Sequence, residues 1–431
     1  MGLEDGSMTR VFAPPLAALR ILLVCEDIPG AALGGLARHV VALGNALIDA
    51  GHVVTLMGRQ PPQPAISAEP TGFRGNFIAG FTDPVRGWKE RSTGMFNPWK
   101  RPYFARKLAQ AIVAHASDFD VVHYHGHLPM VGRYVPAGIR FVQTRHDQGS
   151  ECIIHSRFRA GEVCTATAPS ACAGCIHPAP GPVRTAISAS AVRRYRRETA
   201  QAFAAHPVVF VSQFLLDNYR RAVPDAHSLQ AHVVHNFVDE AALQDVAAAN
   251  RARQVGRPVG DQAGRFVVHL AGRIEPAKGI AQFIELLLPR LPAHWQLQVY
   301  GDGPARAHAA ALDGARVVLH GHQPLATVLA AAVAGDVTVV PSVWEEPCGT
   351  VILEALRLGK PCYALRRGGT PELARYGAPG QLRLFDTLPA LVDGLLAHGE
   401  PAGTAVSGEV ADVRARLPAL LTLYRSQAAS V

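Results

Sequence analysis

Between Val337 and Leu373 the chain switches twice between strand-like and helix-like patterning. Val337-Thr338-Val339-Val340 is a short apolar run ending in Pro341, the signature of a buried strand. Gly349 breaks the chain, and Thr350 stands where a helix N-cap is expected. Leu353, Leu356 and Leu358 then supply an apolar helical face up to Gly359, a helix C-terminal residue. Pro361-Cys362-Tyr363-Ala364-Leu365 is a second strand, broken by Gly368-Gly369. The unit is strand, loop, helix, strand, loop, the repeat of an open α/β sheet.

Two carboxylates mark this unit, Glu346 and Glu354, with seven residues between them. Glu346 falls in the loop at the strand's carboxyl end, where open α/β sheets bind ligands. Glu354 falls in the first turns of the helix, whose start offers free N–H groups and a positive dipole end to a phosphate. Carboxylates on either side of such a site can accept hydrogen bonds from sugar hydroxyls. A pair of acids is more often a solvated helix and loop pair. Here Pro347, Gly349 and Gly368-Gly369 signal backbone that must approach something closely.

The run Glu346-Pro347-Cys348-Gly349-Thr350-Val351-Ile352-Leu353-Glu354-Ala355-Leu356, followed by Gly359-Lys360-Pro361 and Gly368-Gly369-Thr370-Pro371-Glu372, resembles the donor-binding signature of the retaining glycosyltransferases of family 4. Cys348 departs from that pattern, which more often has Phe or Tyr. The resemblance implies an α/β protein of the GT-B fold, two Rossmann-like domains facing across a cleft. It also implies that Glu346 holds donor-sugar hydroxyls and Glu354 the ribose.

Earlier in the chain, Arg20-Ile21-Leu22-Leu23-Val24-Cys25, a helix from Leu36 to Leu47 and Val53-Val54-Thr55-Leu56-Met57 form a βαβ unit. Gly34 and Gly35 sit at its helix start, matching the family's first glycine loop. Residues 60–100, with Trp88, Phe96 and Trp99, are expected to be irregular and on the acceptor side. Asp118-Phe119-Asp120 has the metal-holding DxD pattern, but it precedes a strand, at the wrong end of a sheet, and is expected to be a solvated turn. In Asp120-Val121-Val122-His123-Tyr124-His125-Gly126-His127, alternation puts the three histidines on one face only while the strand lasts, and Gly126 ends it. That weighs against a metal site built from the three. The resemblance implies instead a histidine lining the cleft near the transferred sugar, His125 first and His123 second. No carboxylate is expected at the strand ends of this domain where a covalent nucleophile would stand. In Ala271-Gly272-Arg273-Ile274-Glu275-Pro276-Ala277-Lys278-Gly279, Arg273 and Lys278 flank a turn into a helix, the chemistry of a diphosphate clamp and the family's pyrophosphate motif.

Cys152, Cys164, Cys172 and Cys175 follow the strand Phe141–Asp147. A C-x2-C pair and four thiols in a loop rich in Ala, Pro and Gly fit a structural zinc ion, with free thiols or a disulfide as the alternatives. Some bacterial members of the family carry a similar insert. No apolar run reaches the ~18 residues of a membrane helix, and the N-terminus lacks the basic-then-apolar order of a signal peptide. A cytoplasmic protein is expected. The net charge of +8 lies wholly in residues 1–235, which hold 24 basic and 16 acidic residues against 18 and 18 in the rest. Arg193-Arg194-Tyr195-Arg196-Arg197 is its densest cluster, either a solvated helix face or a contact for an anionic membrane or phosphorylated acceptor. No aromatic-interleaved basic groove points to nucleic acid.

The expected organisation is a flexible leader over 1–18, a first domain over 19–235 with a Cys-rich insert at 147–182, a linker over 236–264, a donor domain over 265–408 and a closing helix over 409–431 that packs toward the first domain. The expected activity is retaining transfer from a nucleotide-diphosphate sugar to a saccharide, lipid-linked or small-molecule acceptor, in cell-surface polysaccharide or glycoconjugate synthesis. His125 and Glu346 would serve the reaction, and Arg273, Lys278, Gly349 and Thr350 would hold the diphosphate, with no catalytic cofactor. The alternatives are a nucleotide-sugar epimerase of the same fold and a non-catalytic scaffold.

Overall fold

The computed structural model describes residues 17–28, 34–59, 72–81, 100–177, 179–224, 229–255, 265–312, 314–397 and 406–426. Most of the leader, most of the segment 60–100 with its three large aromatics, and the last part of the expected linker lie outside the described residues.

The first sheet holds β1 (Arg20–Val24), β2 (Val53–Arg59), β3 (Asn76–Phe81), β4 (Val121–His125), β5 (Phe141–Arg145), β8 (Val208–Phe210) and β9 (Ala231–Val233), in the order β3-β2-β1-β4-β5-β8-β9. β6 (Phe158–Arg159) and β7 (Glu162–Val163) form a separate hairpin in the cysteine insert. The second sheet holds β10 (Phe266–Ala271), β11 (Trp295–Tyr300), β12 (Val317–Gly321), β13 (Val337–Val340), β14 (Cys362–Leu365) and β15 (Leu382–Phe385), in the order β12-β11-β10-β13-β14-β15. Neighbours in both large sheets are parallel. Buried on both faces, such strands read as continuous apolar runs, which is how β1 and β13 appear in the sequence.

The principal helices are α1 (Gly35–Asp49), α2 (Arg101–Ala116), α3 (Pro182–Ala205), α4 (Gln213–Ala222), α5 (Glu240–Val255), α6 (Ile280–Leu287), α7 (Leu325–Ala334), α8 (Thr350–Arg357), α9 (Leu388–Ala397) and α10 (Val413–Ser426). α1 buries Ala37, Val40, Val41, Ala46 and Leu47, an apolar stripe at helical spacing. α10 is the last element among the described residues, yet Val413, Leu417, Leu420, Leu423 and Tyr424 join the apolar cluster of α1 and β1. The Tyr424 hydroxyl lies 2.6 Å from His123 Nδ1, under the first sheet.

Three readings of the sequence need correction. Within residues 60–100, expected to be irregular, Asn76–Phe81 forms β3 and pairs with β2. Residues 240–255, taken as part of a linker, form α5, because Glu240-Ala241-Ala242-Leu243 begins a run of good helix formers and Leu243 and Val246 find an apolar surface. Thr350 is not an N-cap. Gly349 holds that position with no side-chain cap, and Thr350 is the first helical residue.

The domains share one apolar cluster, in which Phe203, Phe210, Leu215 and Tyr219 of the first join Cys348, Ile352, Leu353, Leu356 and Leu373 of the second. Cys348 is therefore interface packing. Beside it, Glu372 reaches across to the start of α4 and accepts hydrogen bonds from the backbone N–H groups of Gln213 and Phe214, both at 2.8 Å. His235 Nε2 is 2.9 Å from the same carboxylate, and its Nδ1 is 2.7 Å from the Tyr376 hydroxyl. A helix start in one domain is thus capped by an acid from the other.

Glu372→Ala is expected to cost about 2 kcal/mol of stability, the loss of a charged cap bonded to two N–H groups. Burial works against the ionised form of Glu372, but His235 and the two N–H groups outweigh it and lower its pKa. Its contribution is therefore present above the unfolded carboxylate range and fades as pH falls through the lower folded value. Thermal melts of both proteins at pH 7 and pH 3 should show the gap closing at acid pH.

Candidate active site

The loops at the carboxyl ends of β10 and β13 meet at Glu346. Its carboxylate is buried and takes Lys278 Nζ at 2.5 Å and the Ser342 hydroxyl at 2.6 Å on one oxygen. Burial raises its pKa, yet Lys278, Ser342 and Trp344 lower it by more, so the net shift is downward and the group is an anion at neutral pH. The Lys278 ammonium also lies 4.9 Å from the centre of the Trp344 ring.

Two glycines make this approach sterically allowed. Gly279 sits at φ 67°, and a Cβ there would meet the Pro341 carbonyl oxygen at 2.2 Å. Gly368 sits at φ 57°, and a Cβ there would meet the Glu346 carbonyl oxygen at 2.2 Å. The close approach expected at Gly368-Gly369 is therefore to the Glu346 backbone itself, which Gly369 N–H also bonds at 2.7 Å. At Gly34 and Gly35 an added Cβ would meet no atom of the described residues within 4 Å.

Glu354 sits partly buried on α8. Burial raises its pKa to about 7, with Arg38 of α1 opposing the shift. α1 thereby bears on two sequence-identified residues, on Glu354 through the charge of Arg38 and on His125 through His39, whose ring centre lies 5.5 Å from that of His125. His39 stacks on Phe237 at 4.1 Å, and Asn236 donates to the Cys348 carbonyl at 3.0 Å. The first turns of α1 and the segment Asn236–Phe237 connect the imidazoles of the first domain to the donor loop of the second. Arg273 stands apart. Its side chain is 71% exposed and pairs with Glu275 at 2.9 Å.

The three histidines of the β4 strand end part company. His123 is wholly buried between Thr144 and Tyr424. His125 lies 3.0 Å from His146 Nε2 through its Nδ1. His127 turns to Asp147 at 3.2 Å and Asp27 at 3.3 Å. Burial opposes protonation of His127, but the two carboxylates raise its pKa well above the usual value.

The expectation that the first domain's strand ends lack carboxylates is overturned. Glu26 and Asp27 follow β1, and Asp147 follows β5. Sequence reading passed over them because acids after a strand are ordinary in loops. Glu26 accepts from the Tyr124 hydroxyl and is 2% exposed. Asp147 is held by Arg145 at 3.3 Å and faces His155 at 3.0 Å. Asp27 is the most exposed of the three. Asp120 instead takes the Arg20 N–H at 2.7 Å at the amino-terminal edge of the sheet.

The four insert cysteines carry no disulfide. Among the described residues, the metal-ligand side chains whose donor atoms converge within 4.8 Å are His39, His125 and His146, and His127, Asp147 and His155, but not the cysteines. Burial pushes the Cys152 thiol up to about 11, and Cys172 and Cys175 shift the same way. The insert, expected on the acceptor side, also touches the donor loop. Gln148 donates to the Glu345 carbonyl at 3.1 Å, and Gly161–Val163 face Val343, Glu345 and Arg366–Gly368 across a cavity of about 480 Å³. His155, Arg157 and Ala160 all have positive φ, a strain of about 1 kcal/mol or more each.

The arginine cluster is not one solvated face. Tyr195 and Arg196 are buried and bond the backbone of the insert, Arg194 pairs with Glu198 at 2.8 Å, and Arg193 and Arg197 line a cavity of about 700 Å³ with Arg221. Among the described residues no helix is long and apolar enough to cross a membrane.

Comparison with known proteins bears on this geometry. Residues 33–242 match the family model described as Glycosyltransferase Family 4, and residues 265–398 match that described as Glycosyl transferases group 1. An uncharacterised 42.6 kDa protein in the cps region of Klebsiella pneumoniae is 28% identical over 149 residues, 34% of this chain and 35% of that protein. The match thus spans about a third of that relative's length. Among solved structures, Anabaena Alr3699/HepE in complex with UDP and glucose superposes with a TM-score of 0.56 at 18% identity, covering 94% of this chain and 99% of the other. Sucrose-phosphate synthase from Thermosynechococcus elongatus gives a TM-score of 0.60 at 20% identity, covering 94% and 96%. At such identities the structures establish the GT-B fold.

Glu354 supplies a pH prediction. Its folded pKa of about 7 exceeds the unfolded value of 4.5, so ionising it in the folded protein costs stability as pH rises through that window. Glu354→Gln should therefore stabilise the protein at pH 8 relative to pH 5, by about 1–3 kcal/mol. Denaturant melts at the two pH values check this, and an unchanged difference would contradict a buried acid.

Proposed function

The chain belongs to the family 4 glycosyltransferases, and we propose that it moves a sugar from a nucleotide-diphosphate donor to a saccharide, lipid-linked or small-molecule acceptor with retention of anomeric configuration. The observation that carries this reading is the buried Lys278–Glu346 pair beside the uncapped start of α8. A sugar nucleotide fits it end to end. Lys278 and the N–H groups at Gly349 and Thr350 take the diphosphate. Glu346 accepts from sugar hydroxyls, and Glu354, partly protonated near neutrality, bonds the ribose. Arg273 leaves Glu275 for the diphosphate when donor binds. His125 lines the opposite wall near the transferred sugar. The solved structure holding UDP and glucose supports a nucleotide-sugar donor, and the role in cell-surface polysaccharide or glycoconjugate synthesis rests on the family resemblance.

Charge that develops as the diphosphate departs is neutralised by Lys278 and the α8 dipole, which removes the need for a catalytic metal ion. Of the three strand-end carboxylates, Glu26 is buried with one oxygen on the Tyr124 hydroxyl, Asp147 is held by Arg145 and His155, and Asp27 faces a His127 held in the protonated form, and we assign none of them as the nucleophile. We therefore favour a one-step, same-face transfer in which the leaving phosphate takes the acceptor proton. The cavity lined by Arg193, Arg197 and Arg221 gives a phosphorylated acceptor or an anionic membrane a place to dock.

The four cysteines are the second part of the proposal, as a structural zinc site. Their spacing supports it, and so does the electrostatic reach of Cys172 to Cys152, Cys164 and Cys175, although the sulfurs must close further to share one ion.

A thermal-shift panel of UDP, GDP and ADP sugars should identify the donor, and product analysis with that donor labelled should show transfer. An epimerised nucleotide or no product would overturn the reading. Lys278→Ala and Glu346→Ala, with folding confirmed, should each lose about a hundredfold in rate, of order 3 kcal/mol. Activity should survive brief EDTA without added Mg²⁺. Metal analysis of untagged protein should find about one zinc per chain more than in the Cys172→Ser/Cys175→Ser variant.

A further inference from the structure

Two imidazole clusters lie at the carboxyl end of the first sheet, and their chemistry differs. In the first, His127 faces Asp27 and Asp147, and His155 lies between Asp147 at 3.0 Å and Arg101 at 2.7 Å. Each of those ring nitrogens already has a charged partner, so that cluster is a filled hydrogen-bond network.

The second cluster is His39 of α1, His125 at the end of β4 and His146 just after β5. Among the described residues no carboxylate forms a hydrogen bond or ion pair with any of the three, although the Asp147 charge reaches His146. His125 Nδ1 and His146 Nε2 are 3.0 Å apart, so the bond between them needs a proton on one. Among the described residues, His39 Nδ1 and His125 Nε2 are buried with no hydrogen-bond partner. Nothing there fixes the tautomer of either ring. Burial lowers the pKa of all three, to about 3 for His39, which leaves neutral imidazoles with lone pairs to give.

The ring centres are 4.6 Å apart for His39 and His146, 5.3 Å for His125 and His146, and 5.5 Å for His39 and His125. Around one tetrahedral ion with metal–nitrogen bonds of about 2.0–2.1 Å, three imidazole centres stand roughly 5 Å apart. One donor atom from each residue already lies within 4.8 Å of the others. Replacing the proton between His125 and His146 by an ion would put both lone pairs on it, with His39 as the third ligand.

We propose that His39, His125 and His146 form a three-imidazole site for a divalent transition metal ion of the zinc class. Three nitrogen ligands without a carboxylate exclude Mg²⁺ and Ca²⁺, which demand oxygen. The site differs from the cysteine insert in both residues and ligand chemistry. Occupation withdraws His125 from the cleft, so zinc should inhibit transfer. That consequence rests on the proposed role of His125, whereas metal binding does not.

Cobalt titration followed by absorption tests the site on full-length, metal-free protein carrying Cys172→Ser and Cys175→Ser to silence the insert. One equivalent of tetrahedral cobalt without sulfur charge-transfer absorption is expected. His39→Phe, which keeps an aromatic ring against Phe237, should weaken that binding at least tenfold, and so should His146→Gln if His39→Phe misfolds. Equal binding by the parent and a folded variant, or no cobalt band in the parent, would overturn the site. Zinc inhibition reversed by chelator in the parent and absent in His39→Phe would connect the site to the cleft.

Discussion

An anion removed from water must be answered at short range, and Glu346 is answered by Lys278. Much of the second domain's local geometry follows from that requirement. Gly279 must turn left-handed and lack a side chain so that the Lys278 loop can lie against the Pro341 carbonyl, and Gly368 must lack a side chain so that its loop can lie on the Glu346 backbone. Ser342 adds a donor to the carboxylate oxygen that Lys278 already holds. Burial alone would neutralise Glu346, and burial alone does push Glu354 toward neutrality, with only Arg38 opposing. Two acids eight positions apart in sequence thus differ in charge state because one has a cation beside it and the other has a distant one.

The same contrast runs through the first domain. His127, faced by two carboxylates, is held as a cation, while His39, His125 and His146, with none, are held neutral. Neighbouring loops of one sheet therefore carry opposite imidazole chemistry a few residues apart. The fold gathers both sets at the carboxyl end of the first sheet and leaves their partners to decide the charge.

Strand and helix order was legible from Val337 to Leu373 because each strand is buried on both faces and each helix carries an apolar stripe. The pairing of Lys278 with Glu346 was legible only as two residues bound for one cleft, since a contact across 68 positions has no local pattern. His39 and Arg38 were hidden inside a helix whose apolar periodicity was its visible property. Their role comes from the outer side of α1, which periodicity describes only as polar. The α5 helix was misread as linker because alanine-rich polar sequence suits both. What decides is whether Leu243 and Val246 find an apolar surface, which is a tertiary fact. The cysteines show the converse, since their spacing suggested one shared ion while the fold leaves the sulfurs short of closure.

The placement of α10 bears on how the chain comes off the ribosome. Tyr424 closes over His123 across 301 positions, and four more of its helix's apolar side chains complete a cluster begun by Ile21 and Leu23. A domain synthesised first ordinarily folds first, while the rest is still being made. Here the first sheet emerges with one flank uncovered and must wait through the whole second domain for its missing helix. Nascent chains of this protein therefore expose that apolar flank until α10 has been made. The segment that seals β1 is made only after every strand of both sheets.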